Sequence, residues 1–266
     1  MKIVVLMKPV PDTTGQERLL PDGRVDRAAS TAVVNANDEY AIEAALKLTE
    51  AHGGDVTLLA MAPANAPETM RKALAMGAAR GVLVTDPALQ GSDTLSTTRV
   101  LAAALAGLEY DLVLAGADTS DGAGGIVPAG IATLLGLPYL SYAAKIEPSE
   151  GRVRVRRIAP AGYDVLEAPL PALVVATQVL GEPRYPSLKG IMAARSKEIV
   201  ARSLADLGLE GSGVGGAVAT TRVTGSKAPP ARGETEVVRG APAETARRVV
   251  DFLASRRLIC WPASSG

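Results

Sequence analysis

Apolar positions along the first half of the chain follow two alternating rhythms. Short continuous runs of aliphatic and β-branched residues recur at KIVVLM (2–7), DVTLLAMA (55–62), RGVLVTD (80–86) and DLVLAGA (111–117). Runs of this length bounded by turn residues predict buried strands. Between them the apolar period becomes helical. In NANDEYAIEAALKLTEAHGG, Ala41, Ala44, Ala45 and Leu48 fall at i, i+3, i+4 and i+7, one face of a helix. Glu43 and Lys47 form an i,i+4 pair on another face. Asn35 or Asn37 can cap the start, and Asp38 and Glu39 suit the positive end of the dipole. PETMRKALAMGA (67–78), TLSTTRVLAAALAGL (94–108) and IVPAGIATLLG (126–136) predict further helices. Strands alternating with helices of this length give right-handed βαβ units and a parallel sheet covered on both faces.

Beyond Pro138 the rhythm changes. Turn signals at Ser149–Gly151 and Pro160–Gly162 separate β-rich runs, which predicts an antiparallel meander added to the sheet. Arg152, Arg154 and Arg156 share one strand face, read as solvated or as a contact for an acidic or phosphorylated partner. A strand-like run, PALVVATQV (171–179), leads into GEPRYPSLKGIMAARSKEI (181–199). The latter reads as a surface loop with two prolines, an exposed-looking Leu188, and a basic cluster of Arg184, Lys189, Arg195 and Lys197. From Leu204 to Glu234 the chain is rich in Gly, Ala, Ser and Thr and reads in part as extended linker. AETARRVVDFLASRRLI (243–259) then predicts an amphipathic helix, with Ala246, Val249, Val250 and Leu253 on one side. That helix either folds back on its own chain or packs on something else. The expected division is an α/β nucleotide-binding domain over residues 1–200, including the loop 182–198, and a linker, arm and terminal helix over 201–266.

Composition narrows the function. Hydrophobic residues make up 47% of the 266, enough for a large core, yet aromatics are only 3%. Charges balance, with 28 basic and 28 acidic residues. No basic surplus and few stacking platforms argue against nucleic acid as a partner. Cysteine and histidine each occur once, as Cys260 and His52. A disulfide framework, an iron–sulfur site and a multi-histidine metal site within the chain are thereby excluded. His52 reads as a helix C-terminal residue beside Gly53 and Gly54. No apolar run approaches the length of a membrane span, and the opening residues read as a strand rather than a signal peptide. The expected location is the cytoplasm, with no direct membrane insertion.

GADTSDGAGGIVPAG (116–130) follows a predicted strand and opens a helix. That places it at the carboxyl end of a parallel sheet, where α/β proteins bind ligands. Glycines let backbone N–H groups converge on an anion, and the helix N-terminus adds positive potential. A phosphate is the natural guest. No lysine follows the glycines, so the loop is not an NTP-hydrolysing P-loop. The end of the first strand at Leu6 and the NAND segment (35–38) lie where a nucleotide at the strand ends could be held. No nucleophile–base pair accompanies them, and Asp118 and Asp121 could simply cap turns.

The chain resembles the β subunit of the electron transfer flavoproteins. The likeness is carried by MKIVVLMKPVPDT, by Asn35, Glu39, Ala41, Ile42, Glu43 and Ala45, by RKALAMGA, by DGAGGIVPA (121–129), by LPA (170–172) and by EPRYPSLKGIMAARSKE (182–198), and it covers residues 1–200. The resemblance implies an α/β fold, doubly wound and mostly parallel (Rossmann-like, adenine-nucleotide-binding), with an antiparallel β extension and a C-terminal arm. It implies a heterodimer with an α subunit that carries the redox-active FAD, and an AMP of structural role in this chain. It implies AMP contacts at Leu6, at Asn35, Ala36, Asn37 and Asp38, at Met61, and at Asp121, Gly122, Ala123, Gly124, Gly125, Ile126, Val127 and Pro128. It implies that 182–198 docks flavin-dependent dehydrogenases, such as acyl-CoA dehydrogenases, through Leu188, Arg184, Tyr185, Lys189, Ile191 and Met192, and that electrons pass onward to the respiratory chain. No catalytic residue is expected. Two departures stand out: Ala159-Pro160 occupy positions where acids are common in the family, and Thr13 stands where some members place an aromatic near the flavin. Some relatives hold a second FAD instead of AMP and bifurcate electrons. A free-standing nucleotide-binding regulator of stress-protein type is the rival reading; it leaves the meander, the arm and the EPRYPSL loop without a role. An adenylating ligase would need a catalytic Lys, His or metal site beside the glycines.

Overall fold

The computed structural model describes residues 1–15, 18–227 and 235–259; Cys260 lies outside them. In chain order the elements are β1 (Lys2–Leu6), β2 (Pro9–Pro11), β3 (Ala32–Val34), α1 (Ala36–His52), β4 (Asp55–Met61), α2 (Pro67–Ala75), β5 (Arg80–Val84), α3 (Thr94–Ala106), β6 (Leu112–Gly116), α4 (Val127–Leu135), β7 (Tyr139–Ser149), β8 (Arg152–Ala159), β9 (Gly162–Pro169), β10 (Ala172–Ala176), α5 (Leu188–Ala194), β11 (Ile199–Arg202) and α6 (Pro242–Ser255). Nine strands form one sheet in the order β11-β5-β4-β1-β6-β10-β7-β8-β9, and β2 and β3 form a small antiparallel pair. Neighbours run parallel from β11 to β7, then β7, β8 and β9 form the expected antiparallel meander.

The continuous apolar strands are buried on both faces because helices cover both. Successive side chains of β1 point to opposite sides of the sheet. Ile3 and Val5 join a core layer with α1 and α2, including Ala41, Ile42, Ala45, Met70 and Leu74. Val4 and Leu6 join the other layer with α3 and α4, including Val100, Leu105, Ile131 and Ala132. The α1 face read from the sequence is the buried one. Its alanines carry little side chain, so the helix lies close to the sheet. In the meander Val153 and Val155 point inward while Arg152, Arg154 and Arg156 face out. Arg152 pairs with Glu167, and Arg156 lies 4.6 Å from the Tyr163 ring centre.

Four features differ from the sequence reading. Residues 188–194, read as loop, form α5: Ser187 caps it, its Oγ accepting from Gly190 N at 3.0 Å. Ile199–Arg202 adds an edge strand parallel to β5. The small β2–β3 pair carries Pro9 and Pro11, residues that lower strand propensity. The run expected as a strand to residue 179 ends at Ala176, followed by a single 3-10 turn at Gln178–Leu180.

By contacts the chain forms two compact units, Met1–Gly225 and Ser226–Gly266. The first therefore includes β11 and the segment after it, whose Leu204 and Val214 are buried. In the second, α6 has no buried residue, and Val249 and Phe252 are exposed. No helix among the described residues is long and apolar enough to cross a membrane.

Candidate functional site: a strand-end crevice and an anchored loop

The chain steps outward from β1 to β4 and β5, then returns to lay β6 against the other side of β1. Adjacent β1 and β6, with Val5 opposite Leu114, thus mark the point where the winding reverses. A crevice opens beyond the carboxyl ends of strands at such a point. Three predicted segments meet there: the end of β1 after Leu6, the first turn of α1, and the loop after Gly116.

The first turn of α1 fastens these pieces together. Asn35 occupies the N-cap position, but its side chain makes no cap hydrogen bond. It serves the loop instead: Nδ2 donates to the Asp118 carbonyl at 2.8 Å, and Oδ1 accepts from Ser120 N at 3.2 Å. Asn37 also donates to Asp118 O, at 3.3 Å. Asp38, expected as a dipole partner or nucleotide contact, is buried and accepts from Lys8 N at 2.8 Å. Burial pushes its carboxyl up to about 7, against the lowering effect of the Lys8 N–H, Asn35 and the Gly116 N–H. Gly116 lies so close to this turn that a Cβ there would sit 2.7 Å from the Asn37 carbonyl carbon. Of the other expected contacts, Leu6 is buried at the end of β1, Met61 is half-buried at the end of β4, and Ala36 is exposed.

Ala123 and Gly125 of the glycine-rich loop have φ of 44° and 61°, left-handed backbone of the kind that lets N–H groups converge. Among the described residues the N–H groups of Gly122, Gly124, Gly125 and Ile126 meet no backbone acceptor. Helix α4 begins at Val127, with Pro128 in its first turn where no N–H is needed. Gly122, Ala123, Gly124 and Ile126 are exposed, Gly125 and Val127 half-buried, and Pro128 buried. Asp121 holds the loop down. Its side chain is 1% exposed, accepts from Lys8 Nζ at 2.9 Å, and pairs with the Arg27 guanidinium. Burial alone would raise this carboxyl, but Arg27 and Lys8 outweigh burial and bring it to about 2. Two cations thus stand over one carboxylate beside unbonded N–H groups. That donor set fits a nucleotide phosphate. Lys8 and Arg27 were missing from the expected set. Lys8 was legible as the first residue past the apolar run; Arg27 arrives on an aperiodic excursion between β2 and β3.

The second feature is the 181–199 segment. Tyr185 is 96% exposed, Leu188 75%, Met192 64% and Ile191 46%. The segment is nonetheless firmly held. Arg184 binds Glu43 of α1 through its backbone N–H at 3.1 Å, Nε at 2.7 Å and Nη2 at 3.2 Å. It also reaches Glu50, Nη2 to Oε2 at 3.1 Å. Lys197 Nζ caps the end of α2, donating to Leu74 O and Ala78 O at 3.0 and 2.6 Å. Arg71 returns the favour to Ala194 O at 2.6 Å. The expected basic cluster therefore splits. Arg184 and Lys197 are engaged inside the chain, while Lys189 and Arg195 are exposed with no ion pair among the described residues. An apolar prong beside free cations, on a rigid mount, suits brief docking.

Among the described residues no group of His, Cys, Asp and Glu could hold a metal ion. His52 ends α1 before Gly53, as expected.

Comparison with known proteins places the chain in a family. Residues 22–207 match the family described as "Electron transfer flavoprotein domain". The chain is 41% identical over 265 residues to "Electron transfer flavoprotein subunit beta" of Mycobacterium bovis, covering 97% of this chain and 99% of that protein. It is 35% identical over 260 residues to the protein of the same name from Clostridium acetobutylicum, covering 97% and 100%. It is also 35% identical over 274 residues to "Acryloyl-CoA reductase electron transfer subunit gamma" of Anaerotignum propionicum, with the same coverage. With identity at this level over nearly the whole length, the chain belongs to the electron transfer flavoprotein beta-subunit family.

Proposed function

We propose that this chain is the beta subunit of a heterodimeric electron carrier, holding AMP in the strand-end crevice and docking flavin-dependent dehydrogenases through Leu188. The partner alpha subunit carries the FAD, which supplies the redox chemistry when bound; this chain contributes none of its own. In the crevice the N–H groups of Gly122, Gly124, Gly125 and Ile126, with Lys8 and Arg27, hold the nucleotide phosphate. Leu6, Asn35 to Asp38, Met61 and Val127–Pro128 frame the rest, with Asp38 and Asn35 shaping the walls. Residues 226–266, whose α6 presents an unburied apolar side, engage the alpha subunit. Electrons come from donors such as acyl-CoA dehydrogenases and go on toward the respiratory chain, in the cytoplasm.

The observation that carries this reading is Leu188: an exposed leucine on a segment clamped by Arg184 and Lys197. Leu188 is not alone: Tyr185, Ile191 and Met192 are exposed beside it, and together they make an apolar patch. A carrier that must leave after each transfer needs one small apolar anchor with steering charges, and Lys189 and Arg195 supply them. Co-expression with a flavin-bearing chain tests the assembly. A stable one-to-one complex that accepts electrons from a dehydrogenase is expected; a monodisperse monomer that binds no flavoprotein would refute it.

A second reading is favoured by the Anaerotignum relative, which is named as part of an acryloyl-CoA reductase. In it the crevice holds a second FAD and the complex bifurcates electrons. The identity of the bound nucleotide separates the two.

A further inference from the structure

Residues 203–225 carry no secondary structure beyond isolated 3-10 turns, yet they are fastened by burial and hydrogen bonds to the helices before them. Leu204 and Val214 enter the core layer of α3 and α4. Gly215 N donates to Ser96 Oγ at 3.0 Å, and Gly216 N to Gln90 O at 2.9 Å. The last fastening is a single carboxylate. Asp93 Oδ2 accepts from Thr220 N at 2.7 Å, from Thr220 Oγ1 at 2.9 Å and from Thr221 N at 3.2 Å. Its other oxygen, Oδ1, caps α3 by accepting from Ser96 N at 2.9 Å.

The two oxygens therefore do separate jobs. Capping accounts for Oδ1, and Asn would serve there as well as Asp. It does not account for Oδ2, which gathers three donors from a Gly-, Ala- and Thr-rich stretch that buries nothing of its own at that point. Together these donors, with the Ser96 N–H foremost, hold the carboxyl at about 2, so it is charged at any physiological pH. The first unit ends at Gly225, just past the clip.

We infer that Asp93 fixes the point from which the C-terminal arm departs, and so tightens association with the flavin-bearing subunit. The inference rests on the reading above, in which that arm engages the alpha subunit. The physical reason is preorganisation. Without the clip, the residues after Gly216 become part of a flexible tether. Binding must then order them, and the entropy lost on ordering weakens the complex. Asp93 is a positioning residue: it touches neither nucleotide nor flavin.

The test compares heterodimers carrying wild-type chain, Asp93→Asn and Thr220→Val. Asparagine keeps an oxygen for Ser96 N–H but turns an amide donor toward the three donors of the strap. The expected result is faster amide exchange at Thr220 and Thr221 and about tenfold weaker association with the alpha subunit, with the thermal midpoint of the chain little changed. Thr220→Val removes only the hydroxyl donor and should weaken association in the same direction by less. A mere helix cap predicts that Asp93→Asn behaves as wild type. If the strap amides are released while association is unchanged, the inference is overturned and the beta-subunit reading stands. Unchanged exchange in Asp93→Asn would show that the carboxylate fastens nothing, which also overturns it. If the wild-type chain itself fails to bind a flavin-bearing subunit, both fall.

Discussion

Arg184 grips Glu43 with its main chain and its side chain at once: the backbone N–H and Nε both donate to Glu43 Oε2, at 3.1 and 2.7 Å. Glu43 is almost fully buried, its side chain 5% exposed, while Leu188 four residues beyond Arg184 is largely exposed. Burial alone would raise the Glu43 carboxyl, but Arg184 outweighs burial and keeps it low. The sequence had offered Arg184 as a free docking cation; in the structure it is the bolt that mounts the loop. Arg184→Ala strips the buried Glu43 carboxylate of its guanidinium donors and leaves it the backbone N–H of residue 184 and Lys47 at 3.5 Å. It should lower stability by about 2 kcal/mol in urea titrations, as expected for a buried carboxylate that loses charged donors. It should also raise the dehydrogenase concentration needed for half-maximal transfer while flavin content holds.

Leu188→Ala isolates the prong from its mount. Nothing in the fold leans on this side chain, so the unfolding midpoint should not move. Electron transfer at limiting dehydrogenase should slow by about tenfold or more, the usual scale of a single apolar hot spot. Stopped-flow reduction of the heterodimer's flavin measures this. An unchanged rate would remove Leu188 from the docking surface.

Gly116 marks where α1 and the end of β6 touch. A methyl group there would meet Asn37 and the Asp38 carboxylate. Gly116→Ala should push the first turn of α1 away from the glycine loop and cost about 1–3 kcal/mol. Loss of copurifying nucleotide should accompany it, because Asn35 and Asn37 would lose their hold on Asp118.

Two carboxyls at the crevice give stability opposite pH dependences. Asp38 stands at about 7 in the fold, well above an unfolded aspartate near 3.9. Between those values the native chain holds a proton that the unfolded chain has lost, so this group's contribution falls as pH rises from about 4 to about 7. Asp121, held at about 2, behaves the other way: its contribution is present above about 3.9 and is lost as pH falls through about 2. Asp38→Asn should therefore flatten the decline of stability between pH 4.5 and 7, measured by urea denaturation at stepped pH. Arg27→Ala should lower stability above about pH 4 and shrink this acid limb, because the Asp121 carboxyl is then less depressed.

The parallel sheet and its helices were legible because each strand and helix carries its own period: Ala41, Ala45 and Leu48 are buried as their spacing predicts. The glycine loop was legible as a turn at the strand ends by its place after a buried strand. What escaped reading depends on partners distant in sequence. Nothing local distinguishes a free Arg184 from one bound to a glutamate on α1, and nothing on the excursion between β2 and β3 announces that Arg27 reaches Asp121. Helix α5 was hidden by Pro183, Pro186 and Gly190, and it forms because Ser187 caps it and α2 packs against it. β11 is too short to show a period. The strap from Leu204 to Val223 looked like linker by composition, and its order comes from hydrogen bonds to Asp93, Ser96 and Gln90.

The most direct test is to denature the purified heterodimer and quantify the small molecules released, by mass spectrometry and absorbance. The account predicts one AMP and one FAD for each pair of subunits. A release with no adenine mononucleotide, whether two FAD or FAD alone, would contradict it.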